Sequence, residues 1–261
     1  MRHILYINPV GSDQFNQGIV ENLDSAKDEN TKVTVLSLPM GPHHLDYYYY
    51  GVLALPDILQ EIRRAEKNGF DAAIIGCFYD IGLREARELA RTLVVTAPAE
   101  ASLHIATSLG HSFSILVGRR KNIPLMKENV YRYGFRDHLA SFRPLGLGVL
   151  EYHQDEEETK RRMIREAKAA VEEDRAEVII LGCTIQFGFY KELQELIGVP
   201  VVDSALAALK HAEFLCELNQ RFHWGHSKIG DFEPPPESEL LQWNLRAQYG
   251  GISTKERDES K

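Results

Sequence analysis

The sequence predicts an α/β fold of two similar halves, each a parallel sheet with helices on both faces. Three observations carry this expectation. Short apolar runs rich in Val, Ile and Leu alternate with longer amphipathic charged segments along most of the 261 residues. That is the pattern of strands buried on both faces and joined by crossover helices. A Gly-Cys pair closes two of the apolar runs, at Cys77 and at Cys183. The surroundings of those pairs also match. FDAAIIGCFYDIGL from Phe70 and AEVIILGCTIQFGF from Ala176 each run from an acidic-flanked apolar strand through Gly-Cys toward a helix, behind a helix rich in Arg, Lys and Glu. Two such units, 106 residues apart, predict two halves facing one another.

Taken in order, the expected strands are Ile4–Asn8, Lys32–Leu38, Ala72–Cys77, Thr92–Thr96, Ser112–Val117, Pro144–Leu150, Val178–Cys183 and Val199–Asp203. The segment Asp57–Asn68 reads as a helix because Pro56 suits a helix start and Gly69 a helix stop. Further helices are expected over Leu83–Arg91, Glu100–Leu109, Ile123–Tyr133, Glu157–Asp174, Phe189–Leu196 and Ala205–Leu218. The first half is placed at residues 1–98 plus about 205–225, the second at 99–204. A C-terminal extension, 226–261, is partly irregular: the run of prolines in Asp231–Glu237 forbids regular structure, and the charged Ser253–Lys261 is expected to fray.

Composition narrows the function classes. Hydrophobic residues make up 44% and charged residues 26%, ordinary for a soluble globular chain. The net charge of −8 is spread along the sequence, which argues against nucleic acid or an anionic membrane as partner, since both require a basic face. The first strand is too short for a signal segment, and no apolar stretch approaches the roughly 18 residues that span a bilayer. A cytoplasmic location is expected. Three widely spaced cysteines do not form a disulfide framework, and the absence of CxxC, HExxH or a close Cys/His cluster gives no zinc site.

The two Gly-Cys pairs are the candidate chemistry. Ligands of open α/β sheets bind beyond the carboxyl ends of the strands, where both cysteines fall. A helix opening directly after each would lower the thiol pKa and hold negative charge released from carbon. A cysteine at a strand end is commonly a small buried hydrophobe, but two at equivalent points of two similar units favour a catalytic pair. Inverting a stereocentre by proton transfer needs a base on one face and an acid on the other, and a thiolate with a thiol supplies both. No metal or pyridoxal phosphate is required, and no Gly-rich phosphate fingerprint is present. Cys216, on the apolar face of HAEFLCEL, is expected in the core.

On these residues the chain resembles the aspartate/glutamate racemase superfamily, and within it the hydantoin/allantoin racemase branch. The resemblance covers roughly residues 1–215. It rests on the first strand ending in INP, Gly41-Pro42 before an aromatic loop, GCFYDIGLREAREL around Cys77, VVTAPAEASLHIATSLGHSFSILV, the helix leading into VIILGC at Cys183, and GVPVVDS. It implies two pseudosymmetric, Rossmann-like three-layer half-domains with the ligand between them and Cys77 and Cys183 as the two bases. It further implies that substrate oxygens sit on the backbone amides of Phe78, Tyr79, Thr184 and Ile185, and that Asn8 adds a polar contact. The chain departs from the branch where substrate would be gripped. It reads Asn8-Pro9-Val10-Gly11-Ser12 instead of NPNT, Val117-Gly118-Arg119-Arg120 instead of a Thr pair, and Thr184-Ile185-Gln186 instead of Ala-Gly-Met.

The remaining candidates have two readings each. Arg119 is positioned either to bind a substrate carboxylate or to stand in a solvated loop. Asp80 either tunes the Cys77 side of the site or caps a helix beginning near Ile81. His104 reads as a buried core histidine, and adjacent His43 and His44 lack a third metal ligand. Tyr47–Tyr50, in GPHHLDYYYYG, reads as a loop forming either an aromatic lid over the cleft or an interface. The function expected is a cofactor-independent racemase or epimerase acting on a small molecule with an acidic C–H next to a carbonyl, such as a hydantoin or an amino-acid derivative, in a homo-oligomer. The competing readings are a maleate isomerase-like or arylmalonate decarboxylase-like enzyme, and a non-catalytic small-molecule-binding relative.

Overall fold

The computed structural model describes residues 1–250, so the stretch Ser253–Lys261 lies outside the described residues. Eight strands form two parallel sheets of identical order. The first contains β1 (Arg2–Asn8), β2 (Thr31–Ser37), β3 (Ala72–Ile75) and β4 (Val94–Thr96), ordered β2-β1-β3-β4. The second contains β5 (Phe113–Val117), β6 (Leu139–Pro144), β7 (Val178–Leu181) and β8 (Val201–Asp203), ordered β6-β5-β7-β8. The helices are α1 (Asn16–Asp24), α2 (Tyr48–Lys67), α3 (Leu83–Leu89), α4 (Pro98–Leu109), α5 (Ile123–Arg132), α6 (Glu156–Glu172), α7 (Tyr190–Ile197), α8 (Ser204–Phe222), α9 (Glu237–Gln242) and α10 (Leu245–Gly250). The fold is therefore α/β with two four-stranded parallel sheets, as the alternating pattern predicts.

Burial explains why the apolar runs become strands. Every residue of β3 and β7 is buried, as central parallel strands covered on both faces must be. Successive side chains of β1 point to opposite faces: Ile4 and Tyr6 enter a core shared by both sheets, whereas Leu5 and Ile7 pack with Ile58 and Ile62 of α2. The shared core also takes Leu103 of α4 and Leu209 of α8. Cys216 is buried there, as its apolar surroundings predict.

Three expectations are corrected, and one helix that was not expected is added. The apolar run at Pro144–Leu150 is not a strand. The edge strand is the preceding β6, whose Ser141 and Arg143 hide it from an apolar pattern, and the chain after Pro144 turns through Gly146 at φ 71°. Asn16–Asp24 forms α1 although only Ile19 and Leu23 are buried. The helix expected from Asp57 begins at Tyr48 and carries Pro56 inside it. The carbonyl that Pro56 leaves unpaired belongs to Val52, which is 67% exposed, so water can satisfy it. The four tyrosines therefore belong to the start of a helix, with Tyr47 at the cap position. Finally, His104 is exposed, not core, and stacks against His211 at 5.7 Å.

The extension docks on its own chain. Along edge strand β4, the Val95 amide donates to His226 Nε2 at 2.9 Å, Lys228 bonds the Arg87 carbonyl, and Arg84 pairs with Asp231. Residues 233–236 are irregular, as the prolines dictate. Among the described residues no helix is long and apolar enough to cross a membrane.

Candidate active site

The two cysteines sit two residues past the ends of β3 and β7, on turns of nearly the same design. Gly76 N–H donates to the Ile7 carbonyl at 2.8 Å and Gly182 N–H to the Leu116 carbonyl at 2.9 Å, extending each sheet by one residue. Both positions require glycine: a Cβ on Gly76 would collide with the Tyr6 ring, and one on Gly182 would lie 2.7 Å from the Leu116 carbonyl oxygen. The chain then folds back, with Asp80 N–H on the Cys77 carbonyl (2.9 Å) and Gln186 N–H on the Cys183 carbonyl (3.0 Å). The second amide after each cysteine, from Tyr79 and from Ile185, donates to that cysteine's sulfur. Gly82 and Gly188, each five residues after a cysteine, carry the turns through positive φ.

The thiols do not sit on helix N-termini, contrary to expectation. The helices begin only at Leu83 and Tyr190, after these turns. Enclosure by protein pushes the Cys183 thiol up to about 12, against the opposing Ile185 amide. Burial pushes Cys77 up further, offset by the Tyr79 amide and reinforced by Cys183, Asp80 and Asp46 nearby. Enclosure thus favours the neutral thiol at both positions.

Between the turns lies a cleft of about 430 Å³ that is open to solvent. Of the residues singled out from sequence, Asn8, Cys77, Phe78, Tyr79, Cys183, Thr184 and Ile185 all line it. The amides of Phe78 and Thr184 meet no acceptor among the described residues, leaving one donor per turn for a ligand. Asn8 is buried, and its Nδ2 bonds Asn16 Oδ1 (2.9 Å) and Ser37 Oγ (3.1 Å), which fixes the loop after β1.

Asp80 and Arg119 do not line the cleft. Asp80 is buried and caps α4, not a helix at Ile81: its carboxylate accepts from the Ala99 and Glu100 amides at 2.8 and 2.9 Å and from Tyr133 Oη at 2.8 Å. Burial still raises its carboxyl to about 7. Arg119 lies 5.5 Å over the Tyr47 ring and 3.8 Å from the Asp46 carboxylate. Sequence reasoning passed over His44, Leu45 and Val149 as cleft walls. His44 lies edge-on to Tyr50 at 5.3 Å, and its Nδ1 is 3.7 Å from Asp46. His44 and Leu45 lie in the segment whose sequence suggests metal and lid roles, Val149 in the run expected as a strand, and only the path of the chain before α2 brings the first two to the cysteine cleft. Among the described residues, no three His, Cys, Asp or Glu side chains gather to hold a metal ion.

Known proteins with this architecture are close in sequence. The family model described as Asp/Glu/Hydantoin racemase matches residues 4–212. A hydantoin racemase of Pseudomonas sp. (strain NS671) is 33% identical over 238 residues, covering 91% of this chain and 94% of that protein. The structure of allantoin racemase from Klebsiella pneumoniae superposes with a TM-score of 0.83 at 29% identity, covering 91% of this chain and 95% of that one. Allantoin racemase from Pseudomonas fluorescens gives the same TM-score of 0.83 at 28% identity, covering 89% and 97%. The match spans both sheets and both cysteine turns. The chain belongs to the Asp/Glu/hydantoin racemase family and is of its hydantoin and allantoin racemase type.

Proposed function

We propose that the protein racemises or epimerises a small molecule whose stereocentre bears a C–H next to a carbonyl, with Cys77 and Cys183 as the two proton-transfer groups. A 5-substituted hydantoin is the substrate class that fits best, as acidic at that carbon as the chemistry requires and as the names of its relatives suggest. The observation that carries the reading is the cleft itself: a thiol from each sheet lines it, each on a glycine-led turn with an amide on its sulfur.

In the proposed cycle one cysteine, as thiolate, takes the proton from carbon. The electron pair moves into the neighbouring carbonyl, whose growing negative charge the free amides of Phe78 and Thr184 can accept. The other thiol then delivers its proton to the opposite face. The product leaves the thiolate and thiol exchanged, so the reverse reaction uses the same groups in swapped roles. No redox or electron-sink cofactor enters this balance. Three free thiols suit a reducing compartment, and we place the protein in the cytoplasm.

A decarboxylase of related fold would need one cysteine only, so a second thiol in the same cleft favours racemisation. Incubating hydantoins, allantoin and amino acids in D₂O with wild type, Cys77→Ser and Cys183→Ser tests the reading. Each replacement is expected to lower racemisation by roughly 10²- to 10⁴-fold, with no release of CO₂. Racemisation that survives both replacements would refute it. Ligand binding with no exchange of the carbon-bound hydrogen would assign the chain to the non-catalytic reading.

A further inference from the structure

We propose that Tyr6 and Thr184 are positioning residues that pin the two cysteine turns together beneath the cleft and so hold Cys77 and Cys183 at a fixed span. The use of that span, proton transfer at one carbon, rests on the racemase reading; the pin itself does not.

The pin begins with one bond between the halves. Thr184 Oγ1 donates to the Gly76 carbonyl at 3.1 Å, so the residue after one cysteine is tied to the residue before the other. That carbonyl and the Cys77 N–H belong to a single planar peptide unit. The Cys77 N–H donates to the Ile75 carbonyl at 2.8 Å. Both sides of the unit leading into Cys77 are therefore held, one of them by the other half of the molecule.

Tyr6 reaches the same point from β1. Its side chain is fully buried in the core shared by both sheets and lies flush under Gly76, where a Cβ would come within 2.7 Å of its Oη. Among the described residues its hydroxyl meets no partner other than the Thr184 hydroxyl. Thr184 gives its hydrogen to Gly76 and can accept one from Tyr6, so the donors run in series from Tyr6 through Thr184 to Gly76. Burial holds the Tyr6 phenol far above its usual range against that bond, and negative charge on Asp203, Cys77 or Cys183 raises it further. Tyr6 therefore remains a donor whichever cysteine carries the thiolate.

The repeat does not demand this arrangement. Tyr6 pairs with Ile74, two residues before Gly76, and its counterpart Ile115 pairs with Ile180, two residues before Gly182. Ile115 fills the same place under Gly182, and the counterpart of Thr184 is Phe78. Neither has a hydroxyl. One pin serves both turns, built from two buried polar side chains where the other half uses apolar ones.

The test combines racemisation of 5-benzylhydantoin with iodoacetamide alkylation of each cysteine, located by mass spectrometry, in wild type, Thr184→Val, Thr184→Ser, Tyr6→Phe and Tyr6→Phe/Thr184→Val. Thr184→Val keeps the side-chain shape without the hydroxyl. It should lower kcat about tenfold to hundredfold with KM within about twofold, and Thr184→Ser should regain most of that loss. Tyr6→Phe should cost about threefold to tenfold in wild type and less than about twofold in Thr184→Val, because the phenol acts through Thr184. Alkylation of Cys77 and Cys183 in Thr184→Val should quicken at least about threefold, while buried Cys216 stays at its wild-type rate. A rise in KM at unchanged kcat would make the Thr184 hydroxyl a binding group and overturn the proposal. So would a Thr184→Ser variant no better than Thr184→Val, additive losses in the double variant, or all three cysteines quickening together, which marks general loosening. If the wild type racemises no hydantoin, the racemase reading fails, and alkylation alone decides the pin: unchanged rates at Cys77 and Cys183 in Thr184→Val refute it.

Discussion

The turns that carry Cys77 and Cys183 share a backbone but not a clamp. Both leave a buried central strand through a Gly-Cys step, both aim the second following amide at the sulfur, and both reach a positive-φ glycine at the fifth position. They part at the third position. Asp80 adopts φ 50°, unusual for a residue with a side chain, and ties its turn to the first amides of α4 and to Tyr133 of the second half. With Asn129 on the Tyr79 carbonyl, the Cys77 turn is fixed by polar groups from far along the chain. Its counterpart, Gln186, is buried and ties its turn to no distant backbone group. The Cys183 turn instead holds by the Thr184 hydroxyl on the Gly76 carbonyl (3.1 Å), His153 on the Ile185 carbonyl (2.8 Å), and stacking of His153 on Phe187 at 4.6 Å. Each cysteine turn is therefore braced in part by the other half. The two turns keep nearly the same backbone geometry and differ in their bracing.

Ionisation of the two thiols carries the largest expected effect. Because burial holds both thiols well above neutrality, the thiolate fraction should rise about tenfold per pH unit through the neutral and alkaline range, and so should exchange of a hydantoin C–H. With Cys183 the less perturbed of the two, Cys77→Ser should retain more exchange at a given pH than Cys183→Ser. A flat pH–rate profile from pH 6 to 9 would contradict this.

Asp80→Ala comes next. It removes the cap of α4 and should lower stability by about 1–3 kcal/mol in urea denaturation. Residual activity should fall on the Cys77 side more than on the Cys183 side. Asn129→Ala frees the Tyr79 carbonyl and should lower kcat by roughly tenfold with a smaller change in stability. A KM-only effect would show that Asn129 acts on binding and not on the turn. The smallest effect is expected from Gln186→Leu. Replacing a buried amide that ties its turn to no backbone group by an apolar side chain of similar size should change stability little, measured as a change in Tm. A loss above about 2 kcal/mol would mean that the two clamps are equivalent after all.

What the sequence disclosed follows this division. The strands, the glycines and the paired cysteines are local patterns, set by alternation of apolar runs and by residue types that permit sharp turns. Seven of the nine singled-out residues line the cleft for that reason. Asp80 and Arg119 escape because their partners lie far away in sequence, Asp80 on α4 and Arg119 beside the Asp46–Tyr47 corner. The edge strand β6 is half polar, and the long α2 runs through Pro56 where its lost hydrogen bond faces water. Both defeat rules that weigh only a residue and its neighbours. The expected helix dipoles at the cysteines failed for the same cause: a turn of several residues stands between each strand and its helix.

The central claim, two thiols serving opposite faces of one carbon, is tested most directly by following each pure enantiomer of 5-benzylhydantoin in D₂O by NMR and polarimetry with Cys77→Ser and with Cys183→Ser. Two-base transfer predicts that neither variant racemises, while each exchanges deuterium into only one enantiomer, and that the two variants choose opposite ones. Exchange of the same enantiomer by both variants, or racemisation by either at the wild-type rate, would contradict it.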